Sequence, residues 1–135
     1  MDDLKGTMVL VHPKLDDDPA GNQNKIGLII DYNLAEDDFF VDVNNGGPPA
    51  LYAANALLIL KKPDEIYLAL GKNLECLSAS DATDIHNTAL LLQYGVTNIS
   101  QSALKIVQQN EAIGEYVADT LQDAIDREQH YKIGR

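Results

Sequence analysis

Residues 25–43, KIGLIIDYNLAEDDFFVDV, constrain the fold of this chain more than any other stretch. Two alternating apolar segments flank a short polar link, which is the pattern of two neighbouring antiparallel strands. Side chains change face at every residue of a strand. Ile26, Leu28, Ile30 and Tyr32 are therefore expected on one face, with Gly27, Ile29 and Asp31 on the other. Phe39, Val41 and Val43 repeat the alternation, Asp42 marks the wetter face, and residues 33–37 supply the turn formers between the two runs.

Sheet-like spacing continues on both sides. Residues 7–12, TMVLVH, alternate well enough for a first strand that Pro13 ends, and residues 13–24 form a long polar loop. Asn44-Asn45-Gly46-Gly47-Pro48-Pro49 is the strongest turn signal in the chain, because glycine supplies positive φ and proline fixes the exit. After it come a short extended piece at Leu51-Tyr52, a kink near Ala53 to Asn55, and a last strand from Leu57 to Lys61.

Pro63 then changes the period. Proline followed by Asp64 and Glu65 suits a first helical turn, where the missing N–H costs nothing and acids complement the dipole. Ile66, Leu70, Leu74 and Leu77 continue at helical spacing. Ser80 or Asp81 is placed to cap a second helix bearing Ile85, Ala89 and Leu92 and stopped by Gly95, and Ser100 to cap a third bearing Leu104 and Val107. The fourth is the clearest: Ile113, Val117, Leu121 and Ile125 lie on one stripe with Tyr116 and Ala124, ending near residues 128–131. The fold class expected is α+β, with four or five antiparallel strands in residues 1–62 and about four helices in residues 63–135, packed on or beside the sheet.

The order of strand, long polar loop, "KIGLIIDY", short link, "FFVDV", tight turn and "LYAANALLILK" resembles the small SH3-like barrel of SH3, Tudor and KOW domains. The resemblance covers residues 7–62 and rests on strand spacing. It implies a closed barrel of four or five strands. The chain lacks the tryptophan usual in a signalling SH3 ligand groove and the basic face usual in KOW modules.

Charge narrows the partners. The 135 residues carry a net charge of -11, with ten acids and five bases in residues 1–62 and eleven and five in residues 63–135. Such a surface repels phosphate backbones and anionic bilayers, so neither nucleic acid nor membrane is an expected partner, and a protein partner of basic character is. The longest mainly apolar run, residues 50–60, is too short for a membrane span, and no secretory signal opens the chain, so a cytoplasmic location is expected. Cys76 is the only cysteine and reads as a small core filler.

Two sets of residues are candidate partner contacts. Tyr32, Phe40 and Tyr52 would meet at one end of a barrel and offer a ring-lined groove near Asp31 and Asp42; the plainer reading buries Phe40 and Tyr52 beneath the helices. Glu111, Glu115, Asp119 and Asp123 recur every four residues, so on one helix they form a carboxylate line of ~18 Å, either a docking stripe or a solvated back face. Asp16-Asp17-Asp18 lacks the spacing of a calcium loop, and His12, His86 and His130 lack the helical spacing that would gather them around a metal. No motif calls for a cofactor. The expectation is a non-enzymatic interaction module with an acidic surface. An acidic, immunity-type inhibitor of a basic enzyme such as a nuclease is one alternative. A hydrolase or metal enzyme built on Asp81, Asp84 and His86 is another.

Overall fold

The computed structural model describes residues 4–43, 46–94 and 99–133, the side chains of 99–100 and 129–133 excepted. Among the described residues the chain is α+β, with five strands before the helices and one short strand between the last two helices. One six-stranded sheet has the order β4-β3-β2-β1-β5-β6, built from β1 (Met8–Val11), β2 (Ile26–Asn33), β3 (Asp38–Asp42), β4 (Ala50–Tyr52), β5 (Leu57–Leu60) and β6 (Ala118–Thr120). The helices are α1 (Pro63–Asn73), α2 (Ala79–Tyr94), α3 (Ile99–Gln109), the single turn α4 (Gly114–Val117) and α5 (Leu121–Ile133). The expected closed barrel of four or five strands is not what forms: the sheet is open, with β4 and β6 at its edges. Two compact units result, residues 1–59 with 120–135, and residues 60–119.

In the first unit, β1 to β4 run as an antiparallel meander and β5 returns antiparallel beside β1. Alternation sends Val9 and Val11 of β1, Ile29 of β2, and Phe39 and Val41 of β3 into one core. Tyr52, Ala54, Ala56 and Leu57 join them, together with Leu121 and Ile125 from α5. Each fully buried Val, Leu, Ile or Phe side chain of that set contributes about 1.5–3 kcal/mol by leaving water. Gly27 sits where β2 and β3 approach closely; a Cβ there would collide with Val41 Cγ1. The turn glycine Gly46 has φ +79°, as the expected turn requires, while Asn44 and Asn45 lie outside the described residues.

The strict alternation expected along β2 breaks once. The register runs Ile29↔Val41 and then Asp31↔Phe40, so Ile30 is the extra residue of a β-bulge. Beyond it the faces exchange: Tyr32 joins Ile29 on the core side, and Asp31 moves to the outer side.

The second unit packs α1, α2 and α3 around Ile66, Ile85, Thr88, Ala89, Ala103, Leu104 and Val107, closed by Ile113 and Val117. Ser78 Oγ accepts the Asp81 N–H at 3.0 Å and caps α2, two to three residues before the Ser80 or Asp81 cap expected. Asn110 Nδ2, at the end of α3, donates to Asp81 Oδ1 at 2.9 Å and Asp84 Oδ2 at 2.8 Å, which ties α3 to the first turns of α2. Gly95, the expected stop of α2, is outside the described residues; α3 begins at Ile99, so Ser100 falls inside its first turn.

The single fourth helix expected over residues 113–128 does not form. Residues 111–113 make a 3-10 turn, residues 114–117 one helical turn, and residues 118–120 are extended before α5 begins. Two hydrogen bonds explain the break. The Lys61 N–H takes the Val117 carbonyl at 2.9 Å, and Thr120 Oγ1 accepts the Asp123 N–H at 3.1 Å, an N-cap that starts a new helix. The apolar stripe is thus two separate pairs: Ile113 and Val117 belong to the helical unit, Leu121 and Ile125 to the sheet core.

Candidate docking face on the outer side of the sheet

The side of β2, β3 and β4 turned away from the core carries the exposed apolar surface of the first unit. Phe40 is paired across the sheet with Asp31 on β2 and with Leu51 on β4. Ile30, which follows the core residue Ile29 and so faces outward, is 41% exposed, Phe40 38%, Leu51 54%, and Leu34 in the β2–β3 turn 51%. They are four of the seven large apolar side chains exposed among the described residues, so this end of the sheet stands apart.

Carboxylates frame the apolar surface. Residues 31–42 contain Asp31, Glu36, Asp37, Asp38 and Asp42 and no lysine or arginine. Asp38 and Asp42 lie two residues either side of Phe40 on β3 and so share its face. Asp31 Oδ1 accepts the Tyr32 N–H at 2.9 Å and lies 3.7 Å from Lys5 Nζ, both side chains well exposed. Asp37, at φ +54°, holds the turn to the start of the 3-10 segment by accepting the Ala54 N–H at 3.0 Å. Asp31, Asp38 and Asp42 thus border the apolar side chains on the same face of the sheet.

The three rings expected to form one groove are not brought together. Tyr32 is half-buried and stacks on Phe39, centroids 5.9 Å apart and planes 8° from parallel. Tyr52 is buried in the same core, and its hydroxyl donates to Asp18 Oδ2 at 2.7 Å. Phe40 faces the opposite way, because Phe39 and not Phe40 pairs with both Tyr32 and Tyr52.

Asp18 anchors the long β1–β2 loop to that core. Its carboxylate also accepts the N–H groups of Ala20 at 2.9 Å and Asn22 at 3.0 Å. Burial alone would raise its pKa, but the bonds from Tyr52, Asn22 and Ala20 outweigh that and hold it below the ordinary aspartate value. The Tyr52 hydroxyl moves the other way, pushed up to about 12 by burial and then by the adjacent Asp18. Of the triplet Asp16-Asp17-Asp18, then, the third residue serves the loop.

The remaining candidates are dispersed. Glu111, Glu115, Asp119 and Asp123 fall on a 3-10 turn, α4, β6 and α5, not on one helix, so the ~18 Å line expected of a helix is absent. Asp119 lies 3.9 Å from Lys61 Nζ, which also donates to the Glu115 carbonyl at 3.3 Å. Asp81 and Asp84 are engaged by Asn110, while His86 packs edge-on against Tyr67 at 5.8 Å. His12 Nδ1 accepts the Lys14 N–H at 3.1 Å, and the His130 side chain lies outside the described residues. Among the described residues no three histidines, cysteines or acids are gathered to hold a metal ion, and no helix is long and apolar enough to cross a membrane. Cys76 is exposed on the 3-10 turn after α1 and fills no core.

Ile30, Leu34 and Leu51 were not among the sequence candidates. Strict alternation sets Ile30 on one face with Tyr32, and the bulge separates them by turning Tyr32 toward the core while Ile30 stays outward. The chain matches no family model, no curated protein and no solved structure.

Proposed function

We propose that this chain is a non-catalytic module that docks a basic protein partner through the outer face of β2, β3 and β4. The observation that carries the reading is the placement of Phe40, Leu51 and Ile30 together in the open, framed by Asp31, Asp38 and Asp42. Exposed apolar area of this kind marks contact surfaces, and the net charge of -11 selects partners of opposite sign. The SH3-like character of residues 7–62 is part of the proposal. Its support is the strand order: a long polar loop after β1, a meander through β4, and a 3-10 turn that returns β5 beside β1. A cytoplasmic location goes with it.

A second reading makes the partner a basic enzyme that the chain inhibits. The density of acids in residues 31–42 favours it, since such a surface competes with a phosphate backbone for a basic cleft. Both readings are tested by affinity purification at low and high salt with wild type and the double variant Phe40→Ser/Leu51→Ser, followed by calorimetry on the purified partner. The expected result is a basic protein bound stoichiometrically, released by salt, and lost in a variant whose melting temperature is unchanged. Equal binding by the variant overturns the assignment of the face, and inhibition of the partner's own activity selects the second reading.

A further inference from the structure

The docking face ends at a strand edge, and that edge carries the inference. β4 is the terminal strand of the sheet beside β3, and Leu51, its central residue, is the most exposed apolar side chain of the face. The β3–β4 register pairs Phe39 with Tyr52, Phe40 with Leu51 and Val41 with Ala50. Extending it by one residue at each end sets Asp38 against Ala53 and Asp42 against Pro49. Viewed from outside, Leu51 and Phe40 form the central row, and the rows above and below each hold one small residue on the β4 side and one carboxylate behind it. Neighbouring strands lie about 4.8 Å apart and same-face residues about 7 Å apart along a strand. A strand laid beside β4 would meet Leu51 with one outward side chain. It would reach Asp38 and Asp42 with the outward side chains two positions before and after, provided these are long and cationic and pass over Ala53 and Pro49.

We infer that the partner of this face is an extended segment of pattern basic–x–apolar–x–basic, added to the sheet as a strand against Ala50–Tyr52. This rests on the docking reading and goes further, fixing the partner's conformation and spacing. Main-chain hydrogen bonds supply attachment and the alternate side chains supply selectivity, as in strand addition generally. Pro48 and Pro49 limit the pairing edge to about three residues, too short for indiscriminate edge-to-edge association and long enough for a five-residue ligand whose side chains carry the choice. An acidic segment would set its charge against Asp38 and Asp42 and is excluded, and a neutral one gains nothing from them.

Three capped peptides test this against the full chain by amide NMR and calorimetry. One has the core lysine-threonine-valine-threonine-lysine, one reorders it as lysine-lysine-valine-threonine-threonine, and one is the first with alternate backbone nitrogens methylated. The first is expected to bind and to protect amides within Ala50–Tyr52. The reordered peptide should bind about tenfold more weakly, the weight of one lost charge-assisted contact, and the methylated one should not bind. Equal binding by all three, no binding by any, or protection that never reaches Ala50–Tyr52 overturns the inference. A basic protein partner that covers Phe40 and Ile30 while the β4 amides stay unprotected defeats strand addition and leaves the docking reading standing. If no partner covers the face, both fall.

Discussion

Tyr52 is the residue where the loop, the sheet and the C-terminal helix meet in one core. Its ring belongs to the core that also holds Phe39, Ala54, Leu121 and Ile125, and its hydroxyl donates to the Asp18 carboxylate. Removing that hydroxyl by Tyr52→Phe leaves Asp18 Oδ2 with one donor fewer and should cost about 1.5–3 kcal/mol at neutral pH, measured by chemical denaturation. The pH dependence has two limbs of known sign. Asp18 has a folded pKa below its ordinary value, so its contribution is present above that value and disappears as pH falls through the folded one. Tyr52 has a folded pKa raised to about 12, so its contribution is complete below its ordinary value of 10.0 and disappears as pH rises toward 12. Tyr52→Phe should flatten the alkaline limb and Asp18→Asn the acid limb; a wild-type stability that is level from pH 10 upward would contradict the bond. Gly27 makes a second residue-scale case. Gly27→Ala forces a Cβ against Val41 Cγ1 and close to the Asp42 carbonyl, an overpacking of about 1–3 kcal/mol. Adding Val41→Ala should recover part of that loss in a double-mutant cycle.

At the scale of elements, the break at residues 118–120 decides which unit α5 belongs to. Thr120→Ala removes the side-chain acceptor for the Asp123 N–H and should cost about 1 kcal/mol, with faster exchange at the amides of the first turn of α5. Exchange that is unchanged there would mean the helix starts by other means. The same segment shows why the period of the apolar residues was read as one helix. Ile113, Val117, Leu121 and Ile125 keep a four-residue spacing across two helices, and periodicity cannot register a reset between them. The signal that could have found it was Thr120-Leu121-Gln122-Asp123, a capping pattern inside the supposed helix. The turn at residues 46–49, the kink at Ala53 and the helix start at Pro63 were all legible, because glycine and proline act on their own backbone. The bulge at Ile30 was not, since its cause is the register with β3. With it went the outward turn of Asp31 and the inward turn of Tyr32 away from Phe40, while the β3–β4 register sets Tyr52 opposite Phe39, which is why the candidate face differs from the groove expected.

For the molecule as a whole, charge and shape act at different ranges, and that separates their effects on docking. The net charge of -11 acts on a basic partner before contact, within a Debye length of about 10 Å at 0.1 M salt, and so governs the rate of encounter. Phe40, Leu51 and Ile30 act only once the surfaces touch, and so govern the lifetime of the complex. Raising salt should therefore lower the association rate constant by roughly ten- to a hundredfold with little change in dissociation. Phe40→Ala should do the reverse, speeding dissociation at any salt concentration. Glu111→Gln with Glu115→Gln removes two charges distant in sequence from the face, on elements that no longer form a stripe. This pair should leave dissociation unchanged and slow association by no more than about twofold, as expected for charges acting through the general field. Surface plasmon resonance across a salt series distinguishes these cases. Faster dissociation in the Glu111/Glu115 variant would return the contact to that segment and remove it from the sheet.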